Sequence, residues 1–364
     1  MPVRKRTKKK TPKRRTTRRA APKKRKTTRK STPRVVTQEQ RQLAVFHDPF
    51  SRATKQPKIP DGKCTESVGF QTQAVKEVAT SPAHGGRMHI LLYPGQDAGV
   101  VVTNSAEADA AYSIWKHDVV GFTDSNNIDW SSLLTSTGGT MEFDQRYALW
   151  RVVSQGLRLS LLNPAEEDDG WWEAVRVSVP IRTSDYMLCC KDADPSTANR
   201  AAKGTVAPLG VISALTNDNL VNERSYTTGL LRDLKNHVFS LHSRRDDHDF
   251  KTQTSKHYLL GTVCQTEDAT DHVMTFLDGA DGPKNLVEKW IDQSQDMIYI
   301  RIHGRPDTGQ SSRLHLNVVS NQEIQFHNNE SESRFHTGST DIGGHIDQHI
   351  AAKRLNGSAS HMIM

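Results

Sequence analysis

His345 and His349 stand four residues apart, a spacing that puts two imidazoles on one face of a helix and could hold a divalent metal. Asp341 and Asp347 would add carboxylate oxygens. The residue after the first histidine is Ile346, where a metalloprotease helix carries the glutamate that serves as general base. The pattern therefore lacks its proton acceptor. The plainer reading is a solvated histidine-rich tail, with no metal and no cofactor expected.

Other chemistry-bearing groups are thinner. Glu166, Glu167, Asp168 and Asp169 form one acidic cluster, and Asp246, Asp247, His248 and Asp249 another. Both lie in loops and would suit a hard cation such as Ca²⁺ only if further oxygens came from other loops or subunits. Trp171 and Trp172 could stack on bases, although alternation at the start of a strand sends one of them inward. The glycine-rich stretch Gly338–Gly344 lacks the lysine and helix of a phosphate cradle. Four cysteines, Cys64, Cys189, Cys190 and Cys264, include no C-x-x-C pair, which argues against a zinc site or a disulfide scaffold and for synthesis in a reducing compartment. No nucleophile, base and orienting group can be assembled from spacing, so catalysis is not expected.

The strongest signal is electrostatic. Eighteen cations fall within the first 34 residues: Arg4, Lys5, Arg6, Lys8, Lys9, Lys10, Lys13, Arg14, Arg15, Arg18, Arg19, Lys23, Lys24, Arg25, Lys26, Arg29, Lys30 and Arg34. No acidic residue and no aromatic accompanies them. Such a run cannot bury enough apolar surface to offset the entropy of ordering, so residues 1–34 are expected to be a disordered arm. The whole chain has 49 Lys and Arg against 41 Asp and Glu, net +8. Taking away the arm's 18 leaves 31 against 41, so residues 35–364 carry a net charge of −10. A flexible polycation neutralises phosphates and releases counterions but has no fixed geometry for base edges. Salt-sensitive, sequence-tolerant binding of nucleic acid is the expectation. A solubility tail or a bare import signal would need far fewer charges.

The rest of the chain must supply the frame. With 364 residues there is room for one large domain or two ordinary ones. No apolar run is long enough to span a bilayer, and no apolar segment follows the basic N-terminus as in a secretory signal, so no membrane partner is expected. Residues 35–66 hold a short polar–apolar run, then Pro49, Pro57, Pro60 and Gly62, and read as a linker or extended strap. From about residue 67 the pattern becomes period two. Segments 147–162, 171–179, 296–303 and 313–318 alternate apolar and polar residues and 70–78 does so loosely, while 87–93, which ends at the turn signal Pro94-Gly95, and 99–103, with three consecutive valines, read as strands as well; Gly/Pro/Asn/Asp loops separate them. Segments 147–162 and 171–179 read as one antiparallel hairpin, and 296–303 with 313–318 as a second. Residues 227–236 read as the best helix, with Leu230, Leu231 and Leu234 on one face. Residues 330–364 read as an irregular tail. The fold expected is all-β, an antiparallel jelly-roll β-sandwich over residues 67–329 with a disordered basic N-terminal arm and a small projecting insertion.

Five segments carry a resemblance: WRVVSQGLRL (150–159), DGWWEAVRV (169–177), SYTTGLLRD (225–233), DMIYIRIHGR (296–305) and RLHLNVVSNQE (313–323). With them the chain resembles the capsid proteins of circular, Rep-encoding single-stranded DNA viruses, especially the bacilladnavirus-like group of diatoms. The resemblance implies a jelly-roll shell domain, a homo-oligomeric icosahedral shell, and an arm held inside on viral single-stranded DNA. It also implies an outward projection inserted between strands, for which 191–224 and 121–140 are the candidates. Lys8–Lys10 and Lys23–Lys26 would then serve host nuclear import receptors, so the protein would occupy the virion and, during assembly, the host nucleus. A T=3 shell of about 180 copies would carry roughly 3,200 arm charges, on the order of a few thousand nucleotides at one charge per phosphate. Two other readings stay open. One is a cellular nucleic-acid compaction or chaperone protein, and the other a metal-dependent enzyme using His345 and His349.

Overall fold

In the computed structural model the period-two segments are strands whose apolar residues face one another across two sheets. The structure describes residues 36–60, 65–95, 99–106, 115, 120–121, 147–167, 169–179, 186–190, 204–243, 250–252, 262–265, 274–277, 292–305, 311–338 and 361–362. The chain divides into two units, Met1–Val36 and Thr37–Met364, and every described element belongs to the second.

The strands are β1 (Glu66–Ala79), β2 (Arg87–Leu92), β3 (Val100–Asn104), β4 (Val120–Gly121), β5 (Tyr147–Leu161), β6 (Trp171–Ser178), β7 (Tyr186–Cys190), β8 (Gly204–Pro208) and β9 (Thr227–Leu230). They continue with β10 (His237–Ser240), β11 (Lys251–Thr252), β12 (Thr262–Gln265), β13 (Met274–Leu277), β14 (Asp296–His303), β15 (Arg313–Phe326), β16 (Thr337–Gly338) and β17 (His361–Met362). One sheet has the order β16-β1-β15-β5-β10-β17, with β11 also on β5. The other runs β4-β3-β2-β14-β6-β9. Hairpins β7–β8 and β12–β13 stand outside both. The four central strands β1-β15-β5-β10 face β2-β14-β6-β9, and the chain steps repeatedly from one sheet to the other. That order is the jelly roll.

The core fills the space between the layers. Ala74, Val78, Leu157, Leu159, Phe239, Leu314, Leu316 and Val318 come from the first sheet. Met88, Ile90, Leu92, Val100, Val102, Trp172, Ala174, Ile298, Ile300 and Ile302 come from the second. Each large side chain removed from water there contributes roughly 1.5–3 kcal/mol before chain entropy is counted. A smaller cluster, Trp150, Val152, Ile324 and Phe326, closes one end against Val68 and Phe70.

Neither hairpin expected from the sequence exists. β5 pairs with β15 and β10, whereas β6 pairs with β14 and β9. β14 likewise lies in the opposite sheet from β15. The connections from β5 to β6 and from β14 to β15 therefore join opposite layers instead of turning within one. Alternation cannot separate these cases, because facing layers bury the same parity against a shared core.

The helix expected at 227–236 is also absent. Thr227–Leu230 is strand β9 and Leu231–Asn236 is a 3₁₀ turn. Thr227 and Thr228 favour extended backbone, and Gly229 disfavours helix. Leu231 and Leu234, three apart, fall on one side of a three-residue turn and are both fully buried. Leu230 is left outside, 45% exposed.

Both sheets are covered on their outer faces. The first carries helix α1 (Gln38–His47), which opens with a reciprocal cap: Gln40 N–H donates to Thr37 Oγ1 at 3.3 Å and Thr37 N–H to Gln40 Oε1 at 3.2 Å. Leu43, Ala44 and Val45 are buried, and the Ser154 hydroxyl of β5 donates to Val45 O at 2.7 Å. The chain then runs over the same sheet as a strap. Asn321 Nδ2 and Gln71 Nε2 both donate to Pro49 O, at 2.9 and 3.1 Å. Gly69 has no side chain because a Cβ there would lie 2.2 Å from Pro57 O. On the second sheet α2 (Gly210–Ser213) packs against β6, and α3 (Asn217–Asn222) follows it. Leu209, Ile212, Leu215 and Leu220 are the buried side chains of that cover.

Candidate functional site

Each covered sheet face holds a buried ionic cluster, and in both cases the charges sit where strand alternation aims them away from the apolar core. On the first sheet, register sets Arg151 of β5 opposite Glu323 of β15. The guanidinium donates through Nε and Nη2 to Glu323 Oε2 at 2.8 and 2.7 Å. The carboxylate also accepts from Ile59 N–H at 3.2 Å and from the Ser67 hydroxyl at 2.5 Å, while Arg151 Nη2 reaches Ile59 O at 3.2 Å. Lys58 is wholly buried beside them, and its ammonium donates to Ser67 O at 2.7 Å and to Thr337 O. Burial pushes the Lys58 ammonium below the usual lysine range, and Glu323 only partly opposes the shift. The cluster therefore pins two segments at once: the strap entering the body and β16, which pairs with the edge of β1.

The second cluster centres on Glu173 of β6. Its Oε1 accepts from Arg301 Nη1 at 3.2 Å and meets His303 Nε2 at 2.7 Å; its Oε2 accepts from Tyr226 OH at 3.1 Å. These partners hold the carboxyl below its ordinary range although burial works the other way. Arg301 also donates to Asn217 Oδ1 of α3 and, through Nε, to Tyr299 OH at 3.2 Å. The Tyr299 hydroxyl, already an acceptor, gives its proton toward His89 Nδ1 at 2.7 Å. Burial and the Arg301 charge hold His89 at about 3, so it is neutral, and burial raises Tyr299 to about 12. The set links sheet to cover by charge-assisted bonds. It joins donors to acceptors and presents no exposed nucleophile.

The two tryptophans separate as alternation requires. Trp172 is buried, edge-on to His237 and Phe239 at 5.0 and 5.4 Å. Trp171 is 40% exposed and stacks on His303 at 3.9 Å and 5°.

All eighteen arm cations lie outside the described residues, as do His345, His349, Asp341, Asp347, Asp246–Asp249, Asp168 and Cys64. Among the described residues no group of three His, Cys, Asp or Glu could hold a metal, and no helix is long and apolar enough to cross a membrane. Sequence reasoning missed Lys58, Arg151, Glu323, Glu173 and Arg301. The only signal of the four strand residues was charge placed inside strongly apolar strands, Lys58 in the strap had none, and the pairing of β5 with β15 is not written locally.

The model of the Shotokuvirus capsid protein family matches residues 37–361. The chain is 44% identical over 333 residues to a capsid protein of Avon-Heathcote Estuary associated kieseladnavirus, covering 89% of each. It is 33% identical over 308 residues to a capsid protein of Chaetoceros diatodnavirus 1, covering 82% of this chain and 76% of the relative. Among solved structures, that of the infectious bursal disease virus Gt strain aligns over 84% of this chain and 90% of its own, with a TM-score of 0.42 and 8% identity.

Proposed function

This chain belongs to the Shotokuvirus capsid protein family, and from that premise we propose that its body tiles an icosahedral shell while Arg4 through Arg34 bind the single-stranded DNA inside. The capsid role follows from the family itself. The packaging role rests on one observation, the separation of charge: 18 cations in the first 34 residues against a net −10 in the remainder.

Arms of one sign repel when gathered in a small volume, so they favour assembly only around a polyanion. An acidic body repels the same polyanion, which leaves the arm as the part that grips it. Binding of this kind follows phosphates and not base edges. Lys8–Lys10 and Lys23–Lys26 fit nuclear import receptors as basic clusters. Of the two stretches expected to project, 121–140 lies outside the described residues after Gly121, and 191–224 holds β8 and the α2–α3 cover of the second sheet; hairpins β7–β8 and β12–β13, outside both sheets, are the described segments from which an outward projection would be built.

The test compares the full chain with residues 35–364. The full chain is expected to give particles tens of nanometres across that protect nucleic acid from nuclease. The shortened chain is expected to keep its β-sheet circular dichroism and to lose the protected nucleic acid. Equal protection by both chains, or an unfolded shortened chain, would overturn the assignment.

A further inference from the structure

At one end of the jelly roll, a row of side chains crosses the outer face of the second sheet. Register sets Leu230 of β9 opposite Trp171 of β6, and Trp171 opposite His303 of β14. Trp171 is 40% and Leu230 45% exposed, so two large apolar side chains meet in one patch. Among the described residues, Val75, Leu162, Val211, Val221 and Phe335 are the other large exposed apolar side chains, and no strand pairing joins any two of them across a sheet. Scattered apolar residues need no explanation, whereas a paired Trp and Leu do.

The tryptophan is already held in place. His303 stacks beneath it at 3.9 Å, and Glu173 fixes that imidazole at 2.7 Å. A fixed aromatic loses little freedom when it is covered, as in the tryptophan anchors of protein interfaces. The row also reaches an edge, since β9 ends the sheet order. The loop crossings meet there: Leu231 N–H donates to Gly170 O at 3.1 Å, and Gly304 N–H to Gly86 O at 2.8 Å.

Charge selects the occupant. Glu167 and Asp169 precede the tryptophan in a loop whose sequence carries two further carboxylates. Phosphates would be repelled at this position. Beyond Leu230 the 3₁₀ turn exposes Arg232 and Lys235 against a single carboxylate, Asp233. An acidic rim and a basic rim on either side of an apolar centre suit a head-to-tail contact, in which one copy's loop meets the next copy's turn.

We infer that the Trp171–Leu230 patch is a contact between copies of this chain, with Trp171 as its anchor. The inference rests on the capsid reading. It is tested on the full chain by hydroxyl-radical labelling of assembled particles and of the same particles dissociated to subunits. Trp171 oxidation is expected to fall at least about fivefold on assembly, as for an anchor shielded from water. Trp171→Asp is expected to abolish particles while keeping the wild-type circular dichroism and melting curve, and Trp171→Phe to restore them.

Equal labelling in both states, or normal particles from Trp171→Asp, would overturn the inference and leave the capsid reading standing. Protection of dissociated subunits by added nucleic acid, with no particles formed, would reassign the patch to the genome and overturn it as well. A wild-type chain that forms no particles under any condition would sink the capsid reading and this inference together.

Discussion

Arg151 and Glu323 face each other across β5 and β15 with Nη2 and Oε2 2.7 Å apart, and both side chains are fully buried. Around them lie the strap, through Ile59 and Lys58, and β16, through Thr337. One carboxylate thus stands between two buried cations and joins the entry of the body to a short edge strand near its exit. Buried pairs of this kind seldom add much stability over well-packed apolar residues, but removing one partner is costly.

Glu323→Ala leaves Arg151 and Lys58 buried without the carboxylate they share. We expect a loss of about 3–5 kcal/mol, read as a lower urea midpoint at unchanged slope. Replacing the pair together, Arg151→Met with Glu323→Leu, is expected to recover most of it. If Glu323→Ala unfolds at the wild-type midpoint, the cluster is not what holds the strap.

Gly69 offers a finer probe of that strap. A Cβ at this position would stand 2.2 Å from Pro57 O, a backbone atom that cannot swing aside. Gly69→Ala is expected to lift residues 56–60 while the core strands stay paired. Limited proteolysis should then cut within 56–60 at least about tenfold faster, a local opening made about 1.4 kcal/mol easier. Cleavage at the wild-type rate would mean that the strap tolerates the methyl group.

Much of this frame could be read from the sequence, and what could not has a common cause. Ile298, Ile300 and Ile302 announce the inward face of β14, and Leu314, Leu316 and Val318 that of β15. Alternation, though, records only which residues turn inward, and says nothing about the layer to which a strand belongs. The two expected hairpins failed for that reason. Tyr299 and Arg301 look like a solvent face until the cover with Asn217 is in place. Lys58 looks like one more surface lysine because Ser67 and Thr337, its acceptors, are distant in sequence. The helix expected at 227–236 failed because three leucines suggested a helical face although two threonines and a glycine start the segment.

Acid should loosen the second sheet first through His89. Its proton affinity in the fold corresponds to about 3, against about 6.5 for an unfolded imidazole. As pH falls below 6.5 the unfolded chain takes up the proton first, so stability drops from there toward 3 and is unaffected above. One such proton gives a slope of at most about 1.4 kcal/mol per pH unit. His242 and His336 are also lowered by burial and act with the same sign. Glu173, depressed by its partners, adds its loss only in a lower window, as pH falls past the ordinary glutamate range. His89→Gln can still accept the Tyr299 proton but cannot titrate. Urea midpoints at pH 7, 6 and 5 are expected to fall less steeply for this variant than for wild type, and parallel curves would refute the assignment.

The arm predicts a number as well as a direction. On single strands each phosphate neutralised contributes about −0.7 to the slope of log Kobs against log salt. If all 18 cations engage, the limiting slope is about −13. Neutralising the last seven, Lys23 through Arg34, should make it shallower by about 5 without changing the preference among DNA sequences. On the proposed reading, in which the arm follows phosphates and not base edges, lysine and arginine should be nearly interchangeable here. A body that took part in binding would retain a steep slope after deletion of residues 1–34. Its net charge of −10 argues that it will not, and filter binding of the two chains to homopolymer and mixed DNA between low and physiological salt measures the difference.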